Sequence, residues 1–108
     1  MNGSFEIREY VQDERSPYRE WFDELDKVTA ARVNLYLRRL EVGNFGAAKA
    51  LQEGVFEVRM DFGPGYRVYF GREARTIIIL LGGGSKGRQD ADIAAAVRRW
   101  KQYKQTRS

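Results

Sequence analysis

The chain has no cysteine and no histidine among its 108 residues, and only two prolines. The first absence excludes disulfide staples, thiolate metal sites and cysteine nucleophiles. The second removes the side chain that most often shuttles protons near neutral pH and most often ligates metals. Long apolar runs are missing as well. None, residues 77–81 included, comes near the roughly 18 residues that a bilayer-crossing helix needs. The opening stretch MNGSFEIREY shows neither the charged-then-apolar layout of a secretory leader nor an amphipathic transit pattern. A cytoplasmic location without membrane association is therefore expected, with chemistry drawn from groups other than thiols and imidazoles.

What the chain does contain is ordinary for a globular protein, 43% hydrophobic and 31% charged residues, and its length suits one domain over residues 1–108. The charge is unevenly spread. From Tyr66 onward three acids stand against ten bases, so a net +7 there offsets a net −3 in the first 65 residues. A cationic C-terminal part attracts polyanions with an affinity that falls as salt rises, because phosphate binding releases counterions.

Periodicity predicts a mixed set of elements. Residues 4–11 alternate as a strand with Phe5, Ile7 and Val11 inward. Ser16 before Pro17 is a helix start, and Tyr18, Trp21, Phe22 and Leu25 follow at helical spacing. A second helix is expected over residues 28–42, with Val33, Tyr36, Leu37 and Leu40 on one face and Gly43 as a left-handed stop. Residues 44–54 read as loop with a short helical turn. Residues 55–60 read as a half-buried strand with Phe56, Val58 and Met60 opposite Val55, Glu57 and Arg59. Residues 62–65, FGPG, make a turn, and residues 66–70 alternate again, Tyr66, Val68 and Phe70 toward the core and Arg67 and Tyr69 away. Residues 75–81 are apolar on both faces, as in a covered central strand. Asp90 is expected to cap a last helix over residues 91–105 with Ile93, Val97 and Trp100 inward.

The segment LGGGSKGR, residues 81–88, carries G-x-G-x-x-G spacing at Gly82, Gly84 and Gly87. A dinucleotide fingerprint needs a following strand and an acid some 20 positions on, and the sequence ends about there. A P-loop needs Lys and Ser/Thr after the last glycine, where Arg88 and Gln89 stand. Neither nucleotide motif holds. The stretch instead reads as a flexible strand-to-helix turn presenting Lys86 and Arg88. If the two alternating strands pair, Glu57, Arg59, Arg67 and Tyr69 share one face and Lys86 joins them from the neighbouring strand. Cations clustered in this way call for an anion or an internal carboxylate such as Glu57.

Several segments together resemble a known family. Residues 54–59 (GVFEVR), 63–70 (GPGYRVYF), the isoleucine strand ending in Gly83-Gly84-Ser85-Lys86, and residues 89–93 (QDADI) look like the toxin of a bacterial type II toxin–antitoxin module. The branch is the addiction-module killer, or phage Gp49/HigB-like, group of the RelE/ParE superfamily. The likeness extends to Arg39–Gly46, RLEVGNFG, in the two-helix half. It implies an α+β sandwich in which an N-terminal strand and two helices pack on a curved, mostly antiparallel sheet followed by a C-terminal helix. It also implies messenger-RNA cleavage, commonly on the ribosome, and silencing by a cognate antitoxin, often a DNA-binding helix-turn-helix protein. No metal or other cofactor is expected.

In such an RNase the phosphorane charge is expected to be neutralised by Arg59 and Arg67, whose planar forks match phosphate oxygens. Lys86 is the expected proton donor or acceptor, and Tyr69 a positioning or protonating group. RNA contacts are expected at Arg88, Lys101, Lys104 and Glu57. The sequence departs from the family pattern at Ser85, where related killers often carry aspartate, and in lacking the histidine some relatives use. The alternative on the same fold is a ParE-like, non-enzymatic gyrase poison, from which the cations at 59, 67 and 86 are a departure. A plain binding module without chemistry is a third reading.

Overall fold

A computed structural model describes residues 4–107; the first three residues of the stretch read for targeting lie outside it. The elements follow in the order β1 (Glu6–Glu9), α1 (Pro17–Asp23), α2 (Lys27–Glu41), β2 (Ala48–Ala50), β3 (Val55–Met60), β4 (Tyr66–Glu73), β5 (Ile77–Ser85) and α3 (Gln89–Arg107). One five-stranded sheet has the order β1-β5-β4-β3-β2. The β1–β5 pair is parallel and the others antiparallel, so the sheet is mixed. The chain is a compact α+β protein in three layers.

Helix starts follow local chemistry. The Ser16 side chain accepts the Arg19 N–H ahead of Pro17, and Asp26 does the same for Thr29 at the start of α2. Gly43, at φ 87°, ends that helix in the left-handed region. The faces these helices bury, Tyr18, Val33, Leu37 and Leu40, pack on Val58, Met60, Val68, Phe70, Ile78 and Leu80 of the sheet. The opposite sheet face, Val55, Tyr69, Ile79 and Leu81, is covered by Ala96 and Trp100 of α3. Trp100 fits because Gly54 and Gly71 present no side chain where its ring lies. Truncating an aromatic buried to this degree costs roughly 3–5 kcal/mol.

Five local expectations are corrected. Val11 is 57% exposed rather than inward: β1 stops at Glu9, Tyr10 takes the buried place, and the chain turns through Asp13 and Glu14 at positive φ. Residues 44–54 hold no helical turn but the edge strand β2, whose Ala-Lys-Ala sequence carries no alternation and is ordered by pairing with β3. Strand β3 is not half-buried, because α3 covers Val55 and Glu57, and Arg59 is its exposed residue. Helix α3 begins at Gln89, so Asp90 lies within its first turn, where a carboxylate suits the helix dipole.

The fifth correction concerns the glycines. Gly82, Gly83 and Gly84 are not a turn; they belong to β5, which continues to Ser85. A Cβ on Gly83 would run into the Trp21 indole, and one on Gly84 into the Asp92 carboxylate. A Cβ on Gly82 would stand 2.8 Å from an Arg99 guanidinium nitrogen. The triplet lets helices approach both faces of one strand.

Candidate functional site

Antiparallel register sets Arg59 directly opposite Arg67 and Glu57 opposite Tyr69, so all four side chains start from the α3 side of the sheet. Lys86 follows β5, whose Gly84 is the partner of Arg67 on the other side. At the hairpin end these strands enclose a cavity of about 410 Å³ whose wall includes Arg59, Asp61, Gly65, Tyr66, Arg67 and Lys86. The Gly65 carbonyl fastens the wall together. It accepts the Lys86 backbone N–H at 2.9 Å and the Arg67 Nη1 at 3.3 Å. Gly65 sits at φ 82°, a conformation that favours glycine.

The three cations differ in environment. Arg67 is 7% exposed and its Nε lies 3.5 Å from Oε1 of Glu57, itself 5% exposed. That buried carboxylate offsets the charge of Arg67 and fixes where its fork points. Arg59 and Lys86 are exposed, and among the described residues neither forms an ion pair. Some surface cations are paired, Arg8 with Glu6, Arg19 with Glu9 and Arg107 with Glu73, while others, Lys49 among them, form no ion pair among the described residues. The cavity thus presents unmatched positive charge beside one arginine held in place from behind.

The other candidates are distributed differently. Tyr69 shares the strand face but is 1% exposed beneath α3, away from the cavity wall, and its hydroxyl has no hydrogen-bond partner among the described residues. Burial, with Asp92 and Glu57 nearby, pushes its phenol up to about 12. Glu57 is as buried as Arg67 but is not part of the cavity wall that Arg67 reaches; its carboxylate faces Arg67. Arg88 lines a neighbouring cavity of about 390 Å³ beside Trp21, Asp92 and Arg99. Asp92 has a buried carboxylate oxygen without a hydrogen-bond partner among the described residues, and burial raises its pKa. Lys101 pairs with Glu53 at 3.3 Å, and the Lys104 ammonium lies 5.5 Å from the Trp100 ring centre. Both stand by the start of β3, at the far end of the sheet from Arg59.

A Haemophilus influenzae protein described as an uncharacterized protein is 44% identical to this chain over 77 residues, covering 70% of this chain and 78% of its own length. The chain belongs to that protein's family. No family model matches it.

Two members of the cavity wall were not singled out as site residues by sequence reasoning. Asp61 follows directly after β3 and carries no periodic signal; only the cavity reveals it. Tyr66 faces the core by alternation, and it does pack on Phe62 and Trp21, with ring centres 5.4 and 6.2 Å away. It is nonetheless half-buried and reaches the wall, because strand alternation loses its force at the first residue after a turn.

Proposed function

We propose that this chain is the toxin of a bacterial type II toxin–antitoxin module of the RelE/ParE superfamily, in the addiction-module killer group, and that it cleaves messenger RNA in the cytoplasm without a metal cofactor. The observation that carries this reading is the shared cavity of Arg59, Arg67 and Lys86, two of them without a carboxylate partner among the described residues. The element order, a strand and two helices before an antiparallel run and a last helix, agrees with the RelE-like fold that the resemblance implies.

The chemistry follows from the wall. Attack of a ribose 2′-oxygen on the adjacent phosphorus forms a new P–O bond as the bond to the 5′-oxygen breaks, leaving a 2′,3′-cyclic phosphate and a 5′-hydroxyl. Three needs arise: a proton acceptor at the 2′-hydroxyl, stabilisation of the phosphorane, and a proton for the departing oxygen. Arg67, locked by Glu57 and Gly65, is preorganised for the phosphorane oxygens, and Arg59 closes on them from the exposed side. Asp61 supplies an acceptor and Lys86 a transferable proton. Tyr69, sealed beneath α3, takes no chemical step in this scheme. On the ribosome, orientation of the message supplements a site that has no imidazole.

A cognate antitoxin is the expected protein partner, covering the same cations. The test is induced expression in a bacterium, alone and with the neighbouring reading frame, with transcript ends mapped. Growth arrest with cleaved messages, relieved by the neighbour and absent in Arg59→Gln/Lys86→Gln, supports the proposal. Arrest with intact messages and DNA breaks identifies a gyrase poison instead.

A further inference from the structure

We infer that the RNA surface continues beyond the cavity of Arg59, Arg67 and Lys86 into a second lobe, which holds the single strand flanking the scissile phosphate through Tyr36, Arg39 and Lys49. This rests on the RNA reading above.

The second lobe is a cavity of about 620 Å³ between the end of α2, the segment after it, and the β2–β3 edge. Its wall includes Arg59 and Asp61, which also line the first cavity, so the two spaces adjoin at those residues. A strand of RNA leaving the first lobe past Arg59 enters the second without crossing another element.

The composition of this path is that of a single-strand groove. A file of rings runs alongside it, with Tyr36 to Phe62 at 6.1 Å and Phe62 to Tyr66 at 5.4 Å between centres. Tyr36 belongs to the second lobe and Tyr66 to the first. Guanidiniums lie on the rings, Arg39 at 4.7 Å from Tyr36 and Arg32 at 5.1 Å from Phe62. Lys49 is exposed on the edge strand with no ion pair among the described residues. Phosphates are met by spaced cations, and a guanidinium lying on a ring gives an unpaired base a planar surface to stack on. A duplex keeps its base faces stacked and cannot use such rings. An acidic peptide would use the cations but brings no planar base to lay on the guanidiniums. Small residues at 47 and 48 keep the floor of the lobe open.

The test uses the purified full chain and fluorescein-labelled RNA pools of random sequence, three or eight nucleotides long, in fluorescence anisotropy across a salt series. The eight-nucleotide pool is expected to bind at least tenfold tighter than the three-nucleotide pool. Arg39→Gln/Lys49→Gln, both surface changes, removes that length gain and flattens the salt slope by roughly 1.4, leaving the three-nucleotide affinity and thermal unfolding unchanged. Arg59→Gln weakens both pools. A double variant with the full length gain overturns the second lobe while the RNA reading stands. If that variant loses only a glutamate-rich helical peptide, the lobe is a protein-docking surface and the inference falls. If the parent binds neither pool, both fall.

Discussion

Arg59 and Arg67 face each other across the β3–β4 pair, two guanidiniums in direct register. Like charges so placed destabilise a hairpin, and the protein resolves the conflict by treating the two differently. Arg67 is buried and drawn to Glu57, while Arg59 stays in solvent. The pair therefore combines a fixed cation with an adaptable one at the mouth of a cavity.

Removing one partner of the buried pair leaves an uncompensated buried charge, and Arg67→Ala is expected to lose roughly 3–5 kcal/mol of stability. Replacing both partners, as in Glu57→Leu/Arg67→Met, is expected to recover most of it. Urea unfolding of Glu57→Leu, Arg67→Met and the double variant gives the coupling directly. Loss of activity in Arg67→Ala alone confuses a binding defect with unfolding, so the exposed cations are the better functional probes.

Tyr69 contributes a pH dependence whose sign is fixed. Its phenol, pushed up to about 12 from 10.0, holds its proton more tightly in the folded state. The stability it contributes is whole below pH 10 and falls as pH rises toward about 12. Tyr69→Phe is expected to remove this component, leaving the alkaline loss due to Tyr18, whose phenol burial also pushes up to about 12, and to Tyr10 and Tyr103, whose phenols burial raises as well. Because the hydroxyl has no partner among the described residues, the variant is expected to be no less stable at neutral pH, and, on the proposed toxin reading, its growth inhibition unchanged. Urea midpoints from about pH 9 to about pH 12 check the first point; a loss of toxicity in a folded Tyr69→Phe protein would restore a chemical role to the phenol.

The glycine triplet of β5 makes a prediction of folding. Gly83→Ala drives a methyl into Trp21 and Gly84→Ala drives one into Asp92, and overpacking of this kind costs typically 1–3 kcal/mol. The two are expected to differ in rescue. Asp92→Gly should relieve Gly84→Ala by removing the carboxylate that the methyl meets, and should leave Gly83→Ala as unstable as before. Thermal unfolding of the four variants decides it.

That triplet also marks where the sequence stopped being legible. Helix starts at Ser16 and the stop at Gly43 are local chemistry and were readable. So was the shared face of Glu57, Arg59, Arg67 and Tyr69, which follows from a period of two and a hairpin turn. Glycines in a strand carry no period, and what required them, Trp21 on one side and Asp92 on the other, comes from distant segments. The same holds for Tyr69: alternation gave its face, but α3, which seals it, is set by tertiary packing. Lys101 and Lys104 were grouped with the site by net charge, a quantity that ignores position.

Position yields the last prediction. If the proposed RNA binding holds, RNA at the exposed cations of the cavity releases counterions in proportion to the charges engaged, so Arg59→Gln/Lys86→Gln is expected to flatten the dependence of log affinity on log salt by roughly 1.4. Lys101→Gln/Lys104→Gln removes the same formal charge at the other end of the sheet, beside Glu53 and Trp100. Its slope is expected to match the parent, with only a small loss of affinity from the weaker overall field. Anisotropy titrations of one labelled RNA pool from about 50 to 200 mM salt compare the three proteins. Equal flattening in both variants would mean that RNA meets a diffuse positive surface, and the cavity would lose its claim to be the binding site.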